Sequence, residues 1–310
     1  MITLYGRRLR SVTMGVAVSL TISTSIHAAN RADGGPQVGT AAPADSVLGS
    51  SDPSVAALVP DSYKKKGILT IAVSATHPPN AFFNDQNKLV GWEVELGTAL
   101  AAHMGLEPNF QKVQFAEILT GLQSGRYDMG LSGINDNKTR EKVLTFVDYF
   151  SAGTSLVVHS GDPKHISSIK DLCGRTVAIE TGTNQVGIAQ DQSKKCTEEG
   201  KEPVEVKLFP DETQVQLQIR TGRAAAGLND FPVAAYIAQQ SQGQLEAVRG
   251  GKEFNAPYGL AISKNSPELV KAVQAALKDV IADGTYAKIL KEWNLEQGAL
   301  TTAEINGATQ

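Results

Sequence analysis

Apolar positions along the chain follow two alternating spacings, which predict strands and helices in turn. Runs rich in β-branched residues at 68–73 and 176–180 predict buried strands. Over Glu93–Met104, Leu96, Leu100 and Met104 recur at every fourth position, which is typical of a helix with one buried face. From residue 67 onward this alternation appears twice, over about 67–150 and about 154–250, and one strand and two helices follow. It predicts an α/β fold with mostly parallel sheets covered by helices.

The remaining predicted elements follow the same rhythm. The helices are 115–123, 185–193, 212–220, 231–240, 267–283 and 285–293, and the strands are 127–132, 204–209, 224–228 and 258–262.

The first 29 residues have a different pattern from the rest. Arg7, Arg8 and Arg10 precede the apolar stretch 12–26, and small residues follow at Ala28 and Ala29. This is typical of a cleaved export signal, and a membrane-spanning anchor would need about 20 apolar residues. We expect a signal peptide over 1–29, a disordered leader over 30–59 and a periplasmic protein without a lipid-anchor cysteine. Export by the general or by the twin-arginine route stays open.

The composition excludes several classes of function. Hydrophobic residues make up 41% and charged residues 20%, which is the balance of a globular protein. A net charge of −3 leaves no basic excess for nucleic-acid binding. No motif of a nucleophilic hydrolase, a P-loop nucleotide binder or a zinc protease occurs. We expect a binding protein rather than an enzyme, with no cofactor, no metal and no nucleic-acid partner.

Cys173 and Cys196 are the only cysteines. Export would place them in an oxidising compartment, which favours a disulfide over two buried thiols.

Ten stretches, taken in order, resemble one family. They are 75–83, 89–96, 121–128, 132–140, 147–153, 172–183, 222–223, 230–236, 257–261 and 283–286. Together they are similar to bacterial extracellular solute-binding proteins of polar amino-acid ABC transporters, family 3.

This resemblance implies a two-lobed periplasmic-binding-protein fold with two hinge strands between the lobes. Lobe 1 would comprise residues 60–151 and 256–310, and lobe 2 residues 152–255. The implied function is high-affinity capture of a free polar amino acid for delivery to an ABC transporter permease in the cytoplasmic membrane. We expect the protein to be a monomer.

The resemblance also implies roles for individual residues. A closed cleft must give both the carboxylate and the ammonium of an amino acid charged or hydrogen-bonding partners. Arg140 would bind the carboxylate, with Gly133, Asn135 and Thr183 around it, and Asp230 would bind the ammonium. The alternatives are a surface charge for Arg140 and a helix N-cap for Asp230.

Five more positions complete the predicted site. His77 and Trp92 stand where aromatic residues sandwich the ligand in the family, and core packing is the alternative for Trp92. Ser74 stands where an acid is common, which argues against a strongly basic ligand. Glu180 ends a strand and would favour a cationic side chain if it faces the cleft, but a solvated strand end is the alternative. Asn184 completes the set.

An enzyme on the same fold, similar to a cyclohexadienyl dehydratase, is the alternative function. It would need a cleft acid or base with a shifted pKa, and Glu180 is the candidate.

Overall fold

The computed structural model describes residues 52–161, 164–249 and 255–309. The predicted signal peptide and the predicted leader up to residue 51 lie outside the described residues. Helix α1 (Pro53–Leu58) shows that the leader prediction is wrong over 52–59. The Asp52 side chain caps this helix, and Val55 and Val59 are buried in the core of the first lobe. A helix of six residues is too short for its apolar positions to show a period.

The first half of the chain has short helices and strands and ends with one long strand. In chain order they are α1, α2 (Asp61–Lys66), β1 (Ile68–Val73), β2 (Thr76–His77), β3 (Ala81–Phe83), β4 (Leu89–Val90), α3 (Trp92–His103), β5 (Glu107–Lys112), α4 (Phe115–Gln123), β6 (Met129–Gly130) and β7 (Leu144–His159).

The second half alternates strands and helices and then ends on two helices. Its elements are β8 (Thr176–Glu180), α5 (Asn184–Glu198), β9 (Glu205–Phe209), α6 (Glu212–Arg220), β10 (Ala226–Asp230), α7 (Phe231–Gln240), β11 (Leu245–Arg249), β12 (Asn255–Ser263), α8 (Pro267–Ala282) and α9 (Thr285–Glu292).

Strand β7 belongs to both halves of the main sheet. The strand order is β5-β1-β6-β12-β7-β10-β8-β9, and β11 also pairs with β7. Residues 144–153 pair antiparallel with β12, whereas residues 154–159 pair antiparallel with β10 and β11. The outer strands pair in parallel, β1 with β5 and β6, and β8 with β9 and β10. The predicted parallel sheets are therefore confirmed, with β7 and β12 as the antiparallel strands between them.

Each side of the sheet has its own hydrophobic core. The β1 side, here lobe 1, packs an aromatic cluster with α3, α8 and α9. The β8 side, here lobe 2, packs aliphatic residues on both faces of its strands. The predicted two-lobed fold is thus confirmed, while the boundaries at 151/152 and 255/256 stay a prediction.

The predicted disulfide is present in lobe 2. Cys173 follows the 3-10 helix Ile169–Leu172, and Cys196 lies on α5, with their Cα atoms 5.6 Å apart. The bond therefore fastens α5 to the segment before β8. Within the described ranges, no helix is long and apolar enough to cross a membrane.

Candidate ligand-binding cleft

A small cavity lies between the lobes, at the carboxyl ends of β8 and β10. Its volume is about 30 Å³, room for one or two water molecules, so an amino acid enters only when the lobes or side chains move apart. Binding crevices of α/β sheets lie at this edge. Six predicted site residues line it: His77, Gly133, Asn135, Glu180, Thr183 and Asp230.

Asp230 ends β10 and is buried in this cavity. Its Oδ2 accepts a hydrogen bond from Asn135 Nδ2 at 3.2 Å, and its Oδ1 accepts one from Gln185 Nε2 at 2.9 Å. Asp230 stands at the N-cap position of α7, but its side chain does not cap the helix. Burial raises the pKa of Asp230, and the Asn135 hydrogen bond and the Arg140 charge oppose that rise. Two side-chain amide groups thus donate hydrogen bonds to the Asp230 carboxylate, as the ammonium group of a ligand would.

Arg140 is also buried, so the surface-charge alternative is wrong. Its Nη1 donates to the backbone oxygen of Asn135 at 2.7 Å, and its Nη2 donates to the backbone oxygen of Gly182 at 2.9 Å. Burial lowers the pKa of Arg140 to about 10, against the opposing charges of Asp230 and Asp136. Arg140 lines a second, larger cavity of about 460 Å³.

His77 and Glu180 form an ion pair across the cleft. His77 Nε2 lies 2.5 Å from Glu180 Oε2, and both residues are more than nine-tenths buried. Burial lowers the pKa of His77, but the charges of Glu180, Glu212 and Glu93 outweigh it and raise the pKa to about 9. Glu180 therefore faces the cavity, and the solvated-strand-end alternative is wrong.

Three contacts of predicted ligand-binding groups join the lobes. Asn135 of lobe 1 bonds Asp230 of lobe 2, Arg140 bonds Gly182, and His77 pairs with Glu180. In each contact a group expected to meet the ligand meets the other lobe instead. The two lobes therefore contact each other through these groups, and hinge opening would free the groups to bind a ligand.

Trp92 lies in the core of lobe 1 rather than at the cavity. It is 0% exposed, and its ring packs against Phe150 and Tyr149 at centroid distances of 5.0 and 5.6 Å. The core-packing alternative therefore describes this residue. Trp92 still reaches the cleft indirectly, because its Nε1 donates at 2.8 Å to Oδ1 of Asn80, a cavity-lining residue.

Ser74 is also not at the cavity. It is buried at the end of β1, where its N–H donates to Ser132 Oγ at 2.9 Å. The presence of serine where the family commonly has an acid therefore gives no information about the side chain of the ligand.

The polar groups of Thr183 and Gly133 form hydrogen bonds within their own lobes. Thr183 Oγ1 donates to the backbone oxygen of Glu180 at 2.8 Å, and Thr183 lines both cavities. The N–H of Gly133 donates to Glu93 Oε1 at 2.8 Å. Gly133 has φ +56°, and a Cβ there would lie 2.7 Å from Asn80 Nδ2, so the position requires glycine. Asn184 lines only the larger of the two cavities.

Two buried acids near the cleft were missed from the sequence. Glu93 is 0% exposed, and burial raises its pKa to about 7 although it accepts a hydrogen bond from Tyr149 at 2.5 Å. Glu212 is 1% exposed, and burial raises its pKa to about 8 against the opposing charge of His77. Both lie in the first turn of a helix, where an acid usually faces solvent, so the sequence carried no signal for them.

His77, Glu180 and Glu212 are close enough to share one cation. One ligand atom from each lies within 4.8 Å of the others, and theirs is the only such group found among the described residues. Residue spacing along the chain cannot show that the fold brings two glutamates from lobe 2 against His77.

A two-lobed α/β fold with charged groups facing each other across a closable cleft defines the class of ligand-capturing binding proteins. The profile of bacterial extracellular solute-binding proteins, family 3, matches residues 69–296. The chain belongs to this family, and the resemblance stated from the sequence is confirmed.

Individual relatives agree with this assignment. The chain is 32% identical over 302 residues to the arginine-binding protein ArgT of Corynebacterium glutamicum, covering 97% of this chain and 96% of that protein. It is 28% identical over 231 residues to the L-cystine-binding protein TcyJ of Escherichia coli, covering 74% and 84%.

Solved structures show the same likeness. An ancestral arginine-binding protein bound to arginine matches with a TM-score of 0.67 and 31% identity, over 73% of this chain and 98% of that one. The ancestral amino acid-binding protein AncCDT-1, described as a precursor of cyclohexadienyl dehydratase, matches with a TM-score of 0.68 and 29% identity, over 75% and 98%.

Proposed function

We propose that the protein captures a polar amino acid in the periplasm and delivers it to an ABC transporter permease. Family membership supports the transport role, and the names of the relatives support amino-acid capture. The observation that carries the proposal is the set of three lobe-to-lobe contacts made by Arg140, Asp230 and Glu180.

Opening of the lobes would free the two groups that recognise any amino acid. Arg140 Nη2 would exchange the Gly182 carbonyl for the ligand carboxylate, which a guanidinium binds through parallel donors. Asp230 would exchange amide N–H donors for the ligand ammonium. Each exchange replaces a bond to a neutral group by a bond between opposite charges, which favours the ligand-bound closed form.

The dehydratase alternative is not better supported than amino-acid capture. Its candidate, Glu180, is held in an ion pair with His77. The relatives reported above carry the names of binding proteins. We keep the periplasmic location and the monomeric state as predictions of this proposal.

Isothermal titration calorimetry against the common amino acids, ornithine, citrulline and cystine tests the proposal. We expect one class of amino acid to bind, and Arg140→Ala to weaken it by at least about 100-fold, because the variant leaves a desolvated carboxylate unpaired. Lys142→Ala, an exposed cation two residues away, is the matched control and should bind like wild type. Absence of binding heat for every compound, or unchanged affinity in Arg140→Ala, would contradict the proposal.

A further inference from the structure

The buried cluster of His77, Glu180 and Glu212 holds two acids against one base. His77 comes from β2 in lobe 1, Glu180 ends β8, and Glu212 begins α6. Glu180 is 2% exposed and its Oε1 has no hydrogen-bond partner in the part of the chain that the structure describes. A carboxylate oxygen buried without a donor is costly, so this atom marks a place for a donor that the protein does not supply.

The proposed function leaves this cluster available to contact the side chain of the ligand. Among the described residues that line the small cavity, the charged ones are Asp230, His77 and Glu180. The proposed function assigns Asp230 to the ligand ammonium and Arg140 to the ligand carboxylate. The His77–Glu180 pair therefore remains for whatever the ligand carries beyond its α-carbon.

We propose that Glu180, supported by Glu212 behind it, receives a positively charged side chain of the amino acid, and that His77 holds this place when no ligand is bound. The inference rests on the proposed function and adds the ligand class: an amino acid with a distal cation, such as a guanidinium. Glu212 is a positioning residue here, since it does not line the cavity.

When a ligand cation takes the place of His77 beside Glu180, the number of protons bound to the cluster should change, and this number can be measured. Several acids face His77: Glu180 from β8, Glu212 from α6, Glu93 from α3 and Asp230 from β10, while the Phe115 ring of α4 lies 5.8 Å from its ring. The surrounding acids raise the pKa of His77 to about 9 and burial raises that of Glu212 to about 8, so we expect both to hold a proton at pH 7.

A cation that enters this buried cluster must therefore expel about one proton to keep the charge unchanged. Because binding releases a proton, affinity for a cationic ligand should rise with pH below about 8, by up to about tenfold per pH unit.

Arginine and citrulline separate the ligand charge from its shape, since citrulline carries a neutral ureido group in place of the guanidinium. At pH 7.5 we expect arginine to bind on the order of 100-fold more tightly than citrulline. Glu180→Gln should reduce that ratio to about fivefold or less, and a far-UV circular dichroism spectrum like that of wild type shows that the variant is folded. Glu212→Gln should reduce the ratio by less, and the exposed Glu198→Gln is the control that keeps it.

Titrations in two buffers of different ionisation enthalpy count the protons released. We expect about one per arginine and none per citrulline. The inference is overturned if citrulline binds as tightly as arginine, if Glu180→Gln keeps the ratio, or if no proton is released with arginine. It is also overturned if Zn²⁺ alone binds tightly and His77→Gln abolishes that binding, because the cluster would then be a metal site. If no amino acid binds at all, the proposed function itself fails, so the two failures are distinguishable.

Discussion

The two lobes reach the same cavity from cores of different kinds. In lobe 1 the rings of Trp92, Tyr149, Phe150 and Tyr258 pack at centroid distances of 5.0 to 6.1 Å. Trp92 donates a hydrogen bond to Asn80, and Tyr149 donates one to Glu93, which also accepts a hydrogen bond from the N–H of Gly133. Asn80 and Gly133 both line the cavity. In lobe 2 the buried core residues are aliphatic apart from Cys196, and the charged cavity groups, Glu180 and Asp230, stand at strand ends.

The difference indicates how stability and binding are related in each lobe. In lobe 1 the aromatic residues that stabilise the fold also position cavity groups, so a change to the core should alter both properties. In lobe 2, Leu228 and Val233 are the members of the core clusters that line the cavity, so a change elsewhere in this core should alter stability without altering affinity.

Trp92→Ala should have the largest effect. Removing a fully buried indole costs about 3–5 kcal/mol of unfolding free energy, and ligand affinity should fall as well because Asn80 loses its donor. Urea denaturation and calorimetry measure the two effects. Leu172→Ala, a fully buried residue of lobe 2, should cost about 2–4 kcal/mol with affinity unchanged. Loss of affinity in both variants would remove the distinction between the lobes.

Removal of the disulfide tests lobe 2 more directly. Cys173→Ala combined with Cys196→Ala releases a loop closed over 23 residues and should lower the free energy of unfolding by about 3 kcal/mol. Neither cysteine lines the cavity, so the affinity of the folded protein should stay at the wild-type value. A decrease in affinity measured well below the unfolding midpoint would show that α5 transmits strain to the cleft.

Glu93→Gln should have a smaller, pH-dependent effect. Burial raises the pKa of Glu93 from its ordinary 4.5 to about 7, so the folded protein keeps a proton that the unfolded chain releases between pH 4.5 and 7. The stability of wild type therefore falls as pH rises through this window. Glutamine cannot ionise, so relative to wild type the variant should gain about 2–3 kcal/mol between pH 4.5 and 7.5.

Other buried acids share that window, so the informative quantity is the difference between variant and wild type at each pH. Glu107→Gln, on the exposed strand β5, is the control and should show a constant difference. A constant difference in Glu93→Gln would mean that Glu93 is ionised throughout.

Sequence periodicity predicted the elements that have one buried face and clear end signals. Helices Phe115–Gln123, Glu212–Arg220 and Phe231–Gln240 were predicted to the residue, as was strand Thr176–Glu180. Asp211 caps α6 and Pro232 lies at the start of α7, which explains the exact starts. Strand β5 was missed, because its sequence EPNFQK is polar and mostly exposed at the sheet edge.

The site was predictable where the family resemblance identified a residue. Arg140 and Asp230 were assigned to the cleft through family resemblance, and both are buried at the lobe interface. Glu93 and Glu212 were not predictable, since their burial depends on contacts 40 and 17 residues away in the chain. Trp92 was misplaced because a buried indole and a ligand-stacking indole look the same in a sequence.

The continuity of β7 has an evolutionary consequence. Leu156 and Val158 face one core layer of lobe 2 and Val157 faces the other. Because side chains alternate along a strand, one residue inserted near position 153 would exchange these two faces throughout lobe 2. Substitutions in this strand can accumulate one at a time, but insertions and deletions of single residues cannot, so descendants of this chain should vary in the composition of β7 and hardly at all in its length.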